Sequence, residues 1–386
     1  MTRVAYISTY VPKKCGLATF TFHLRQAVHA VKEWKAKDPV IVLHDGETDG
    51  SQDPLLWLLR RDCENDYEKM ANRINQSETE VVSLQHEFGI FGGEAGRHIL
   101  RFIRNLKKPL VTTFHTVFEQ PREPYASIQR EIAERSDRIV VMNRKAISYL
   151  NRSFGIPEEK IVFIPHGTPE PDSERRQAFR EQLDWTDRKV LMTFGLLSRG
   201  KGIELILRIL PDIVKRVPQV LYAIVGQTHP EVKKWEGEKY REELKAMIAD
   251  SGIGDNVVMI DRYMEENDLV RHITACDVYV TPYPGMEQIT SGTLAYAVGL
   301  GRPVVSTPYC YAQDLLADEP ELLIPANDEA LWRERIVSLL TNDVMLQDVV
   351  RKMKRLGQTM HWPSVGNEYN LLFTEVGRHG KAIRSV

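Results

Sequence analysis

Short apolar, β-branched runs alternate with helical patterns along almost the whole chain, and one stretch breaks the alternation: Pro165-His-Gly-Thr-Pro-Glu-Pro-Asp-Ser-Glu174. Three prolines and a glycine in ten residues exclude regular structure there. Strands that alternate with helices pair in parallel, because each helix carries the chain back across the sheet. The chain is therefore expected to be α/β, with one doubly wound, Rossmann-like sheet in residues 1–170 and a second in residues 171–361. Its 386 residues suit two cores better than one. Two such domains facing each other leave a cleft.

In the first half, strands are predicted over 4–8, 40–43, 81–84, 110–114, 138–142 and 161–164. Helices are predicted over 18–31, 67–74, from about 94, around 128–133 and up to 151. Ligands of doubly wound sheets bind beyond the carboxyl ends of the strands, where His86, Glu87, His115, Thr116 and His166 fall. His86 and His115 are expected to face one crevice, whereas His166 reads as structural. The histidine spacings are long and no HxH or HxxxH pair occurs, so no metal site is expected. Gly16 opens the first helix beside Lys13 and Lys14. A phosphate could approach its amide, and a plain turn with two solvated lysines is an equal reading. The helix bearing Arg97, Arg101, Arg104, Lys107 and Lys108 reads first as a solvated face over the sheet. Its second reading is a patch drawn to an anionic membrane surface.

In the second half, strands are predicted over 190–194, 220–225, 257–260 and 278–281, and from Pro303 onward. The helices are 203–213, a long one ending at Ala249, 269–273, 329–340 and 344–356. Ser364 is placed as the cap of a terminal helix with Tyr369, Leu372 and Phe373 on its apolar face. The basic tail beyond Gly377 is expected to fray. Two loops stand out. Gly195-Leu-Leu-Ser-Arg-Gly-Lys-Gly202 sets Arg199 and Lys201 among glycines at a helix entry, which suits a diphosphate. Thr290, Ser291, Gly292 and Thr293 open the helix that Gly299 and Gly301 end, and their small side chains leave its N–H groups open to anions and sugar hydroxyls.

Composition narrows the classes. A net charge of −2, with 42% hydrophobic and 27% charged residues, is that of a soluble globular chain with no global attraction to nucleic acid. Cys15, Cys63, Cys276 and Cys310 lie far apart without a CxxC pair, which fits a reduced cytosolic setting and neither a zinc site nor a disulfide framework. The N-terminus enters a strand pattern directly, unlike a signal peptide, and no apolar run approaches the roughly 20 residues that span a bilayer.

Together these residues carry a resemblance. The glycine of the first βα turn, His115 after the fourth predicted strand, the Gly195 to Gly202 loop with Lys201, Ala275-Cys-Asp277 and Gly301-Arg-Pro-Val-Val305 are similar to the GT-B glycosyltransferases of retaining family 4. Lys14-Cys-Gly-Leu-Ala-Thr-Phe20, His86-Glu-Phe-Gly-Ile-Phe-Gly-Gly-Glu-Ala-Gly96 and Ser291-Gly-Thr-Leu-Ala-Tyr-Ala297 resemble its mannosyltransferase-like subgroup. The resemblance covers nearly the whole chain. It implies a donor domain in the second half, an acceptor-side domain in the first, and a C-terminal helix, 362–386, that crosses back to complete the first. It also implies a nucleoside-diphosphate sugar as co-substrate, no metal or other cofactor, and front-face transfer without a protein nucleophile.

On this resemblance His115, Arg199, Lys201 and Glu287 are the catalytic candidates. Gly16, Gly195, Arg262, Tyr263, Gln288, Thr290, Ser291, Gly292, Thr293 and Tyr296 are the donor and nucleotide candidates, and His86 and Glu87 the acceptor-side ones. Three positions depart from the family. Leu196 stands where its arginine stands, with Arg199 as a substitute, and its E-x7-E becomes Gln288-x7-Tyr296, with Glu287 adjacent. The second glutamate of that motif accepts hydrogen bonds from the ribose, which Tyr296 cannot do in kind. The expected activity is transfer of a hexosyl unit, mannosyl favoured, to a glycan or lipid-linked acceptor in polysaccharide biosynthesis. It is expected in the cytoplasm or peripherally at the inner membrane face. A glycoside phosphorylase and a catalytically silent sugar- or nucleotide-binding subunit are the alternatives.

Overall fold

The computed structural model describes residues 2–32, 37–46 and 53–384, with side chains to residue 378. It divides into two compact units: Met1–Gly167 with Trp362–Val386, and Thr168–His361. The first holds a seven-stranded parallel sheet of β1 (Val4–Ser8), β2 (Val40–His44), β3 (Leu56–Arg60), β4 (Val81–His86), β5 (Leu110–Phe114), β6 (Arg138–Val141) and β7 (Ile161–Phe163), in the order 3-2-1-4-5-6-7. The second holds β8 (Lys189–Phe194), β9 (Val220–Val225), β10 (Val257–Ile260), β11 (Val278–Thr281) and β12 (Val304–Ser306), in the order 10-9-8-11-12. Both are doubly wound, as the alternation requires. Central strands such as β1, β4, β5 and β9 are buried along their whole length, which is why they read as mainly apolar runs, with Ser83, Gln85, His86, Thr112 and Thr113 as buried polar exceptions.

Four local features differ from expectation. β3 was not anticipated: it is an edge strand, only Leu59 is buried, and its sequence Leu-Trp-Leu-Leu-Arg lacks β-branched residues. His115 consequently follows the fifth strand. The helix expected from about residue 94 begins at Ile99, because Gly93, Ala95 and Gly96 all take positive φ and turn the chain first. The long helix ending at Ala249 is two, Pro230–Glu236 and Lys239–Asp250, parted at Gly237 with φ +62°. The terminal helix starts at Trp362, so Ser364 lies inside its first turn, and the helix runs on to Arg384 instead of fraying at Gly377.

That terminal helix completes the first unit. It packs along the helix Gly16–Lys32, and Gly366 lets the two backbones meet where a Cβ would press on Ala27. Tyr369 is buried and shares a hydrogen bond with Thr113 at 3.0 Å, and Phe373 sets its ring edge-on to Tyr6. In the second unit, Asp277 ties a surface helix to the sheet. Its carboxylate accepts from the Val190 amide at 2.7 Å, from Arg180 at 3.2 Å and from Arg176 at 2.7 Å. Arg180 and Asp277 are both buried. Removing one partner of a buried pair strands the other charge, so Asp277→Ala should cost about 3–5 kcal/mol. Equilibrium urea unfolding measures this, and a loss under about 1 kcal/mol would count against the clamp.

Candidate functional site

The carboxyl edge of the second sheet is built around glycine. Gly195 (φ +138°), Gly226 (φ +135°) and Gly202 (φ +61°) hold backbone conformations that side chains rarely adopt. A Cβ on Gly226 would overlap the Gly195 carbonyl, and one on Gly202 the Pro282 carbonyl. The loops after β8, β9 and β11 therefore interlock at backbone distance. A Cβ on Gly195 would lie 2.9 Å from the Lys201 ammonium, so that cation rests where a side chain would otherwise stand.

Lys201 Nζ donates to the Tyr283 hydroxyl at 2.8 Å and sits 4.5 Å from that ring's centroid. An ammonium has no lone pair to accept with, so the Tyr283 hydrogen goes on to Thr293 Oγ1 at 2.8 Å. Thr293 lies 3.3 Å from Ser291 Oγ, which caps the helix Gly292–Gly299 by accepting from the Leu294 amide at 3.4 Å. One chain of contacts thus joins a half-buried cation to a helix N-terminus. Among the described residues no carboxylate pairs with Lys201. Hydroxyls leave its charge uncompensated, and with the positive end of the helix dipole the edge is set for an anion.

The structure brings Gly195, Lys201, Ser291, Gly292 and Thr293 together, and adds Tyr283, which the sequence reading missed although it immediately precedes the loop of interest. Arg199 goes elsewhere. Its guanidinium pairs with Glu243 at 2.7 Å and lies 5.2 Å from the Tyr240 ring centroid, so the expected substitute for the family arginine is already engaged. Arg262 is exposed and donates to Asp268 at 2.9 Å, and Tyr263 is half-buried beside it. Gln288 donates to the Thr290 carbonyl at 2.9 Å, bracing the loop, while Glu287 is exposed. Tyr296 is buried and its hydroxyl donates to Glu266 at 2.9 Å, a residue the sequence reading passed over because the apolar residues of its helix drew the assignment.

At the carboxyl edge of the first sheet, Gly16 opens the helix Gly16–Lys32 and faces open space, with no atom within 4 Å of where a Cβ would be. Lys13 pairs with Asp45 at 3.3 Å. His115 Nε2 lies 3.0 Å from Gln85 Oε1, and Gln85 Nε2 is used on Ser83, so His115 donates through Nε2 and keeps Nδ1 as an acceptor. Burial first, then the neighbouring His166 and His86, push its pKa down to about 3 although the residue keeps some surface. Glu87 accepts from Thr116 at 2.6 Å and from the Phe88 amide at 2.9 Å, and burial raises its pKa. His86 does not share a crevice with His115. It is fully buried, stacked on Phe91 and edge-on to Phe88 and Phe114, and neither ring nitrogen has a hydrogen-bond partner. His166 is buried, with Nδ1 2.8 Å from the Gly167 carbonyl and its pKa pushed down to about 4 by burial. Of the five cations read for membrane attraction, Arg101 and Arg104 lie on the helix, which spans Ile99–Asn105, and these two pair with Glu68 at 2.7 Å and Glu131 at 2.6 Å, while Arg97, Lys107 and Lys108 fall outside it. Among the described residues no group of three or more His, Cys, Asp or Glu is placed to hold a metal, and no helix is long and apolar enough to cross a membrane.

Two Rossmann-like units, with parallel sheets of seven and five strands, are the architecture of the GT-B class, and the chain belongs to family 4 of these glycosyltransferases. It matches the family Glycosyl transferases group 1 over residues 188–342 and Glycosyltransferase Family 4 over residues 55–170. It is 29% identical over 157 residues to the GDP-mannose-dependent alpha-(1-6)-phosphatidylinositol monomannoside mannosyltransferase of Mycolicibacterium smegmatis, covering 40% of this chain and 38% of that protein. It is 32% identical over 130 residues to the GDP-mannose:glycolipid 4-beta-D-mannosyltransferase of Xanthomonas campestris pv. campestris, covering 33% of each. The chain thus spans between a third and two fifths of the length of these relatives. The fold matches the sucrose-phosphate synthase of Thermosynechococcus elongatus with a TM-score of 0.76 at 16% identity, over 97% of this chain and 99% of that one.

The buried histidines give a pH test. His86, like His115, has its folded pKa pushed down to about 3, against about 6.5 when unfolded. Below pH 6.5 the unfolded chain takes up protons that the fold refuses, so this stability is complete above that pH and is lost progressively as pH falls to about 3. His86→Leu removes one such proton and no hydrogen bond. It should lower the slope of stability against pH by about 1.4 kcal/mol per unit between pH 6 and 4.5 in urea titrations, with little change at pH 7.5. An unchanged slope would show that His86 is protonated in the fold.

Proposed function

We propose that this chain is a retaining hexosyltransferase that moves a hexosyl unit, mannosyl favoured, from a nucleoside-diphosphate sugar to a glycan or lipid-linked acceptor. The observation that carries this reading is Lys201, held by Tyr283 and Thr293 against the N-terminus of the helix Gly292–Gly299 without a carboxylate partner. A leaving diphosphate gains negative charge as the glycosidic bond breaks, and preorganised donors at that point lower the barrier. Lys201 and the helix amides supply such donors from the protein itself, which is why no metal is assigned to the reaction. Both relatives are GDP-mannose-dependent by name, which supports the mannosyl preference.

Acceptor recognition is assigned to the first unit, where Glu87 and Thr116 form a polar pair and His115 presents a neutral acceptor nitrogen to a sugar hydroxyl. Glu287, exposed ahead of the helix, is assigned to the donor sugar's hydroxyls, and the Asp261-Arg262-Tyr263 segment to the base. A catalytically silent nucleotide-binding subunit is the second reading, and the pairing of Arg199 with Glu243 favours it, because it removes one cation from the site.

Thermal unfolding with GDP, UDP, ADP and their sugars tests the donor, since specific binding raises the melting temperature by mass action. GDP and GDP-mannose should give the largest shifts. Lys201→Ala should lower turnover roughly 10²-fold or more, read as nucleotide released from the donor. Wild-type binding without turnover would establish the silent subunit. Glu287→Gln should slow transfer while leaving affinity for the free diphosphate unchanged. Proton NMR of the first-formed product reads the anomeric outcome, and an inverted centre would overturn retention.

A further inference from the structure

The amino edge of the first sheet carries a cavity that the proposed transfer leaves unused. Arg3, Pro39, Leu55 and Thr79 line it, and they lie just ahead of β1, β2, β3 and β4, strands that are neighbours in the sheet. Its volume is about 490 Å³, in the range of small-ligand pockets. Strands of five or six residues are roughly 17–20 Å long, so the cavity stands a strand's length from the carboxyl edge with His115 and Glu87. Part of the lining is apolar: Pro39, Pro54, Leu55 and Trp57. The indole is fixed twice, because its N–H donates to the Pro54 carbonyl at 3.2 Å and the Arg73 guanidinium lies 4.1 Å from its ring centroid. The rest is polar. Arg3 pairs with Glu78, Lys37 is exposed, and Thr79 Oγ1 is buried with no hydrogen-bond partner among the described residues.

We propose that this cavity is a second carbohydrate site, which holds a pyranose unit of a neutral oligosaccharide away from the transfer chemistry. A pyranose carries C–H bonds on its faces and hydroxyls around its rim. The first suit an indole, whose π surface is negative, and the second both donate and accept. In this site the sugar packs on the indole surface that Arg73 leaves uncovered. Arg3 and Lys37 only donate, the Glu78 carboxylate only accepts, and the Thr79 hydroxyl does either. A wholly apolar ligand would leave Thr79 Oγ1 without a partner and take water from the charges. An anion would face the like charge of Glu78. A neutral polyol can use all four groups. The site does not rest on the nucleotide-sugar reading, because its residues lie on the opposite edge from every group assigned to transfer in the first unit.

Saturation-transfer NMR titrations of the full chain with α-1,6-mannotriose, maltotriose and cellotriose test this, with Trp57→Ala, Thr79→Val and Lys37→Ala beside wild type and GDP as the control ligand. At least one trisaccharide should bind wild type, and Trp57→Ala should weaken it about tenfold or more. Thr79→Val keeps the shape of the side chain and removes only the unpartnered hydroxyl. It should leave the melting temperature unchanged or raised, yet weaken the trisaccharide roughly three- to tenfold, the worth of one neutral hydrogen bond. That combination separates a ligand contact from damage to the fold. Trisaccharide binding that Trp57→Ala and Thr79→Val both leave unchanged overturns the inference, and so does wild type that binds GDP but none of the three sugars. Benzoate that binds more tightly than every trisaccharide, and is lost in Lys37→Ala, overturns it in favour of an anion site. Trisaccharide binding sensitive to both substitutions, in a protein that takes no GDP, upholds this site while overturning the donor reading.

Discussion

No side chain fits where the loops after β8, β9 and β11 meet, and the site of the second unit depends on that exclusion. Gly195, Gly202 and Gly226 all have positive φ, and a Cβ on Gly202 or Gly226 would overlap a neighbouring carbonyl. A left-handed conformation costs an ordinary residue roughly 1–2 kcal/mol, and the overlap would force the strands' ends apart as well. Because the backbones interlock, Lys201 leaves the chain next to a fixed Gly202, and its ammonium lies over Gly195. The cation's position is therefore a property of the backbone more than of its own flexible stem.

Charge is disposed unevenly around this edge. Arg241 pairs with Asp261, Arg262 with Asp268, and Arg199 with Glu243, so these guanidinium groups are balanced within the protein. Lys201 faces hydroxyls and a ring instead. Hydroxyl dipoles and a π face stabilise an ammonium without cancelling its charge, and partial burial weakens the screening that water would provide. The helix N-terminus adds positive potential at the same place. Positive potential concentrated in this way is lowered by an anion placed against it, which is the physical basis of the proposed diphosphate site.

Much of this was legible in the sequence, and the gaps have physical reasons. Buried parallel strands are mainly apolar runs, so eleven of the twelve strands could be read, while β3 at the exposed sheet edge has neither β-branched residues nor full burial. The glycine-rich loop and the helix with Thr293 were visible because small residues at a strand-to-helix turn have few other uses. Partner choice was not visible. Arg199 and Lys201 are two residues apart and chemically alike, yet one turns to Glu243, 44 positions beyond it, and the other to Tyr283. Glu266 lies 30 residues before the tyrosine that holds it. His86 and His115 looked equivalent at strand ends, but three phenylalanines close over the first, and Gln85 orients the second toward use as an acceptor.

The first sheet's edge follows a different electrostatic logic. Its histidines are held neutral by burial, with His115 and His86 pushed down to about 3 and His166 to about 4. A neutral imidazole that donates through Nε2 can only accept at Nδ1, so at physiological pH His115 neither adds charge nor supplies a proton to a ligand. It is suited to fix the direction of a hydroxyl. Glu87 is likewise held by Thr116 and the Phe88 amide, and burial shifts it toward the neutral form. Groups so arranged discriminate among hydroxyls by geometry. Under the proposed transfer reaction, charge stabilisation is assigned to the edge that carries Lys201 and the orienting of hydroxyls to the edge that carries His115, a division that follows from which groups are charged and which are held neutral.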